Sequence, residues 1–100
     1  MEADLSPRLE RVDDSETYPL VTGVTEVGRH WAADICLPHP SVSLTHAIII
    51  RSPAGARIVD CGSRTGMSVN GLDLTESPLR DRDVVRIGHL DLVYVDADQP

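Results

Sequence analysis

A chain of 100 residues has room for one small domain with a modest core. It is 41% apolar and 25% charged, ordinary for a globular protein, and no apolar run approaches the length of a membrane span. The net charge of −7 argues against nucleic acid or an anionic membrane as partner, and all 9 basic residues are arginines, planar forks suited to oxyanions.

The first ten residues, MEADLSPRLE, are acidic and lack the apolar centre of a secretory signal. A domain over residues 7–95 is expected, with flexible ends at 1–6 and 96–100. Glycine and proline then punctuate the chain at short intervals, and no segment between them carries a helical stripe. The stretch VGRHWAADICLPHPSVSLTH, Val27 to His46, packs histidines, hydroxyls, a cysteine and one arginine into loop-like sequence. After it, HAIII alternates His46, Ile48 and Ile50 with Ala47 and Ile49 on the other face. RSPAGAR reads as a hairpin turn leading into the β-branched run ARIVD. SVNGLDL carries Asn70-Gly71, the strongest short hairpin signal, because both central residues of a type I′ turn need positive φ. VVRIG and LDLVYV follow as strands, the second placing Leu90, Leu92 and Tyr94 on one face. The pattern is all-β, roughly ten short strands spaced as in a sandwich. Cys36 and Cys61 are too few for a disulfide framework and read as reduced thiols at strand ends or in the core, pointing to the cytoplasm.

Three chemistries compete for the Val27–His46 stretch. Cys36, His39 and His46, with His30 nearby, match no standard zinc spacing; Pro38 and Pro40 hold His39 rigidly, and Cys61 has no near partner. Ser43 and His46 could belong to a triad, but there is no G-x-S-x-G elbow, and a histidine heading an apolar strand is more often structural. The reading that uses most of the residues is an oxyanion cradle. Gly28 ends a strand tightly and sends Arg29 into a loop, Ser43 offers a hydroxyl, and CGSRTGMSVNG brings Ser63, Arg64 and Thr65 on a glycine-bounded loop. Arginines with hydroxyls at one end of a sandwich suit a phosphate monoester.

The ordered pieces VGR (27–29), ADICLP (33–38), SVSLTHAII (41–49), IVDCGSRTGMSVNG (58–71) and LRDRDVVRIG (79–88) resemble a forkhead-associated (FHA) domain of bacterial type, over roughly residues 7 to 95. The resemblance implies an eleven-stranded β-sandwich whose apical loops bind phosphothreonine in an extended peptide. It implies that Arg29 and Ser43 contact the phosphate and that His46 organises the loop. Gly28, Gly62 and Gly66 fit tight backbone, Asp60 and Ser63 are structural, and Asn70 and Gly71 form the hairpin beyond.

The sequence departs from the family pattern at three positions. Leu44 stands where relatives often carry Arg, Lys or Asn. Thr65 replaces an Asn that bonds the peptide backbone, and Met67 replaces a Thr. Arg64 can compensate by reaching the phosphate, while Leu44, Thr65 and the loop residue Trp31 would meet the flanking residues. The expected protein is a non-catalytic adaptor without metal or cofactor. Its partner is a phosphothreonine-containing protein, a Ser/Thr kinase or a kinase substrate. The alternative is an FHA fold associating through Trp31, Leu44 or a sheet face without phosphate. A self-binding variant through Ser15 or Thr17, which lie among acidic residues, is a lesser possibility.

Overall fold

In the computed structural model, residues 7–97 are described. Eleven strands run through them: β1 (Arg8–Arg11), β2 (Thr17–Pro19), β3 (Gly23–Gly28), β4 (Ile35–Cys36), β5 (Ala47–Ser52), β6 (Gly55–Asp60), β7 (Met67–Val69), β8 (Leu72–Asp73), β9 (Glu76–Leu79), β10 (Val84–Ile87) and β11 (Leu90–Val95). They form a six-stranded sheet in the order β2-β1-β11-β10-β7-β8 and a five-stranded sheet in the order β4-β3-β5-β6-β9. The expected flexible ends at 1–6 and 98–100 lie outside the described residues. Asp96, assigned to the tail by sequence, is fastened: its N–H donates to Asp81 Oδ1 at 2.8 Å and its carboxylate accepts the Tyr94 hydroxyl at 3.1 Å.

Burial follows the period of two that strands impose. Leu90, Leu92 and Tyr94 turn into the core from β11, meeting Val85 and Ile87 of β10 and Leu9 of β1. From the other sheet come Val27, Ala47, Ile49 and Ile58. Ile48 and Ile50 face outward, half-buried, and His46 precedes β5 instead of continuing its outer face. The β5–β6 hairpin closes through Pro53 and Ala54, with Ser52 opposite Gly55. Asn70 and Gly71 close β7–β8 with φ of 52° and 87°, the I′ pattern expected from their sequence.

Register decides which loops share an end. Val27 pairs with Ala47, and Ala47 with Asp60. The segments 29–34, 37–46 and 61–66 therefore leave the same end of the five-stranded sheet. Met67 pairs with Ile87, and Ile87 with Leu90, which brings the 88–89 turn to that end of the other sheet.

Two glycines let these segments touch. A Cβ on Gly28 would stand 2.0 Å from the Leu44 carbonyl oxygen and 3.1 Å from the Thr45 Cα. A Cβ on Gly88 would stand 2.5 Å from Ser41 Oγ. Gly28 is thus required by the backbone that crosses it.

Two consequences are measurable. Gly28→Ala should cost about 3 kcal/mol, a Tm fall of more than ~12 °C, because main chain must move. Gly62→Ala, with open space around its Cβ and only its φ of +74° to strain, should cost about 1–2 kcal/mol. Thermal melts of both variants check the contrast. Second, burial, then the nearby Asp96 charge, push the Tyr94 phenol above its ordinary 10.0. The fold holds the proton more tightly than the unfolded chain does. This contribution is therefore complete below about pH 10 and is lost as pH rises above it. Melts from about pH 8 to about pH 12 should show an alkaline loss that Tyr94→Phe reduces.

Candidate functional site

His46 is fully buried at the head of β5, and both ring nitrogens meet main chain. The Ser43 N–H donates to Nδ1 at 3.0 Å, and Nε2 lies 2.8 Å from the Gly66 carbonyl oxygen. A backbone N–H can only donate and a carbonyl can only accept, so Nδ1 is bare and Nε2 carries the proton. One neutral imidazole thereby joins the 37–46 loop to the 61–66 loop. Two further bonds close the seam. The Arg64 N–H donates to Ser43 Oγ at 2.9 Å, and the Thr65 hydroxyl donates to the Ser41 carbonyl at 2.8 Å.

The 61–66 loop is also wound on its own side chains. Asp60 Oδ2 accepts the N–H groups of Gly62 and Ser63 at 2.9 and 3.0 Å, and Oδ1 accepts the Ser63 hydroxyl at 2.5 Å. Ser63 Oγ in turn accepts the Gly66 N–H at 2.9 Å. The 29–34 loop is tied across by Arg29 N–H to Ser43 O at 2.9 Å and His30 N–H to Leu44 O at 3.2 Å.

These ties converge on a recess of about 290 Å³ lined by Arg29, Pro40, Ser41, Val42, Ser43, Leu44, Thr45 and Arg64. Arg29 Nε donates to the Val42 carbonyl at 2.9 Å, fixing the guanidinium while its two terminal amino groups keep no partner among the described residues. The Arg64 guanidinium is likewise uncommitted among them. Ser43 Oγ accepts from Arg64, so its own proton is available to a ligand in the recess. Two planar cations and a hydroxyl donor thus face one cavity, as an oxyanion needs.

Of the residues singled out by sequence, Arg29, Ser43, Arg64 and Leu44 line this recess together. Gly28, His46, Ser63 and Gly66 lie in the framework that shapes it. Three others lie differently. Asn70 makes the β7–β8 hairpin but bonds Asp83 and Val84, at the far end of β7 from the loops. Thr65 spends its only hydroxyl proton on Ser41, which leaves its oxygen to accept and nothing to donate. Trp31 stands 84% exposed outside the recess, edge-on to His30 with ring centroids 5.7 Å apart.

Ser41 is the residue that sequence missed. Its N–H donates to His39 Nδ1 at 3.1 Å, its Oγ accepts the His89 N–H at 2.8 Å, and its carbonyl takes Thr65. No sequence signal marks it, because the loops it joins through His89 and Thr65 lie far along the chain.

The rival chemistries find other geometry. His39 Nδ1 faces Ser41 Oγ at 2.8 Å, the Cys36 thiol faces the Arg29 carbonyl at 3.7 Å, and His46 is spent on main chain. Among the described residues no cluster of three or more His, Cys, Asp or Glu is placed to hold a metal. Ser43 meets His46 through its backbone N–H, not its hydroxyl. Burial first, then the charges of Asp60 and Glu26, push the Cys61 thiol up, which disfavours the nucleophilic thiolate.

The two packed sheets, with loops gathered around a recess at one end, define a β-sandwich with an apical binding surface. The family model described as FHA domain matches residues 25–88, and the chain belongs to the FHA domain family. It is 39% identical over 80 residues to the ABC transporter ATP-binding/permease protein Rv1747 of Mycobacterium tuberculosis, covering 80% of this chain and 9% of that one. A crystal structure of the FHA domain of FhaA complexed with the intracellular domain of Rv3910 superposes with a TM-score of 0.85 at 33% identity, covering 89% of this chain and 99% of that one. A structure from an analysis of phosphothreonine-dependent FHA domain interactions gives 0.86 at 32% identity, covering 89% and 94%. The chain spans only 9% of Rv1747 and 16% of the whole FhaA protein of M. tuberculosis.

Removing the central imidazole tests the framework. His46→Ala leaves the Ser43 N–H and the Gly66 carbonyl without their partner and a cavity in place of a fully buried ring, and should cost about 3–5 kcal/mol in urea unfolding. Ser43→Ala, which releases one N–H at a partly open site, should cost about 1 kcal/mol.

Proposed function

We propose that this domain is a non-catalytic adaptor that docks onto phosphothreonine in an extended segment of a partner protein, within Ser/Thr-kinase signalling on the cytoplasmic side. The observation that carries this reading is the convergence of the free amino groups of Arg29, the Arg64 guanidinium and the Ser43 hydroxyl on one recess. A phosphate monoester brings nearly two negative charges and three acceptor oxygens near neutral pH. Arg29 is already braced by Val42, so little side-chain freedom is lost when its fork closes on the ligand. Hydrogen bonds to a charged group contribute roughly 1.5–3 kcal/mol each, and two or three of them support a specific, moderate site. The phosphothreonine dependence and the protein-domain complex described for structural relatives support the same reading.

Leu44 and Thr65 shift the flanks. Leu44 is 56% exposed at the rim and offers apolar contact where a donor could stand. Thr65 can accept a peptide N–H but cannot donate to a peptide carbonyl while it holds Ser41.

A second reading, association without phosphate, draws on one observation. Trp31 and Leu44 are both exposed, on loops joined through the bond from His30 N–H to Leu44 O. A protruding tryptophan suits an interface anchor.

Fluorescence titration with matched phosphothreonine, phosphoserine and unmodified peptides decides between the two. The adaptor reading expects saturable binding that needs the phosphate, weakens at least ~100-fold in Arg29→Ala, and weakens ~10-fold in Ser43→Ala. Binding of all three peptides alike, lost in Trp31→Ala and kept in Arg29→Ala, would establish the second reading. Trp31 is the single tryptophan of the chain and serves as the intrinsic probe in the wild type.

A further inference from the structure

We infer that the site prefers phosphothreonine peptides carrying an arginine or lysine a few residues from the phosphate, and that Asp73 is the residue that selects it. The inference rests on the phosphothreonine reading above and specifies its substrate.

Arg64 lines the recess proposed for the phosphate and also a second one, of about 480 Å³. Its walls include Met67 and Leu74, with Asp73 beside them. Asp73 also lines a third recess, of about 200 Å³, toward Arg86 and His89. Arg64 lines both the first and the second recess, and Thr65, Gly66, Met67 and Asp73 line both the second and the third.

Charge around these recesses is unevenly committed. Asp60 is spent on winding the loop, through Gly62 and Ser63. Arg86 has Asp91 at 3.5 Å. Asp73 has neither an ion pair nor a side-chain hydrogen bond among the described residues. Once Arg64 closes on phosphate, Asp73 is the uncommitted formal charge of the second recess. An exposed apolar residue beside a free carboxylate fits a long cationic side chain: the aliphatic stem covers Leu74, and the head reaches Asp73. An aliphatic residue would leave the carboxylate unanswered, and an acidic one would repel it.

The reach is consistent. Ser68 is four steps along the chain from Arg64, at most ~14 Å, and it stands opposite Asp73 across the β7–β8 pair. An extended peptide advances about 3.3 Å per residue, so Asp73 lies within roughly three to five residues of the phosphate.

The test is a set of phosphothreonine peptides in which Arg, Ala or Glu is placed singly at each of about five positions on either side. Wild type, Asp73→Asn, Asp73→Arg and Arg29→Ala are titrated against it, with thermal melts confirming that each variant is folded. In wild type, Arg at one or two positions on a single flank should tighten binding about fivefold over Ala, and Glu there should weaken it. Asp73→Asn should flatten that preference, and Asp73→Arg should reverse it to favour Glu, with phosphate dependence intact in both. Phosphate-dependent binding whose flank preference is absent, or survives unchanged in Asp73→Asn, overturns this inference alone. Binding that ignores the phosphate and the Arg29→Ala change overturns the phosphothreonine reading, and this inference with it.

Discussion

The buried imidazole of His46 is the point on which the apical architecture depends. Its two nitrogens answer two main-chain groups of opposite polarity, the Ser43 N–H and the Gly66 carbonyl, on two loops far apart in sequence. Only a neutral imidazole with its proton on Nε2 does both at once. Ser43 and Arg64 are therefore held in register before any ligand arrives, and the Arg64 N–H completes the seam by donating to Ser43 Oγ. That bond also fixes the polarity of the serine, because a hydroxyl oxygen that is accepting leaves its proton to be given away. The same bond that braces the cradle thus prepares a donor for it.

Arg29 follows the same logic of partial commitment. Its Nε is tied to Val42, so the fork is aimed while its ends stay open. Gly28 makes this possible from below, since any side chain there would collide with the Leu44 carbonyl and push the 37–46 loop off Arg29. Position and chemistry are divided between neighbours: the glycine sets how closely the loops approach, and the arginine supplies the charge.

Much of the fold was legible because strands write their burial into every second residue and turns into particular residue types. Leu90, Leu92 and Tyr94 announced a core face, and Asn70-Gly71 announced a type I′ hairpin by the only means such a turn has, residues that tolerate positive φ. The outer placement of Ile48 and Ile50 was not legible, since a run of isoleucines does not say which face has a second sheet above it. At the site, the order of GR, SxxH and the glycine-bounded loop pointed to Arg29, Ser43, His46 and Arg64. It said nothing of Ser41, whose importance lies in two bonds to segments far away in sequence, from the Thr65 hydroxyl and the His89 N–H. The reason for Gly28 was also hidden, because a close approach between two backbones leaves no pattern in either one.

Thr65 shows how a change at one position passes its task to others. A single hydroxyl has one proton, and here that proton goes to the Ser41 carbonyl, so the seam between the loops gains a bond and the ligand loses a donor. Leu44, at the other rim of the recess, has no donor to substitute. Under the phosphothreonine reading, the groups nearest the phosphate are the two arginines and the serine, and all three would read charge. Whatever distinguishes one phosphorylated segment from another would then be read farther out, beyond Arg64. The chain as a whole carries a net charge of −7, while the recess itself is lined by two arginines and no carboxylate. Beyond roughly 8 Å such charges are screened, so in the proposed complex the arginines would govern the phosphate and the carboxylates only what reaches them directly. Anion in the centre and cation at the flank is the charge pattern that both halves of this surface can satisfy together.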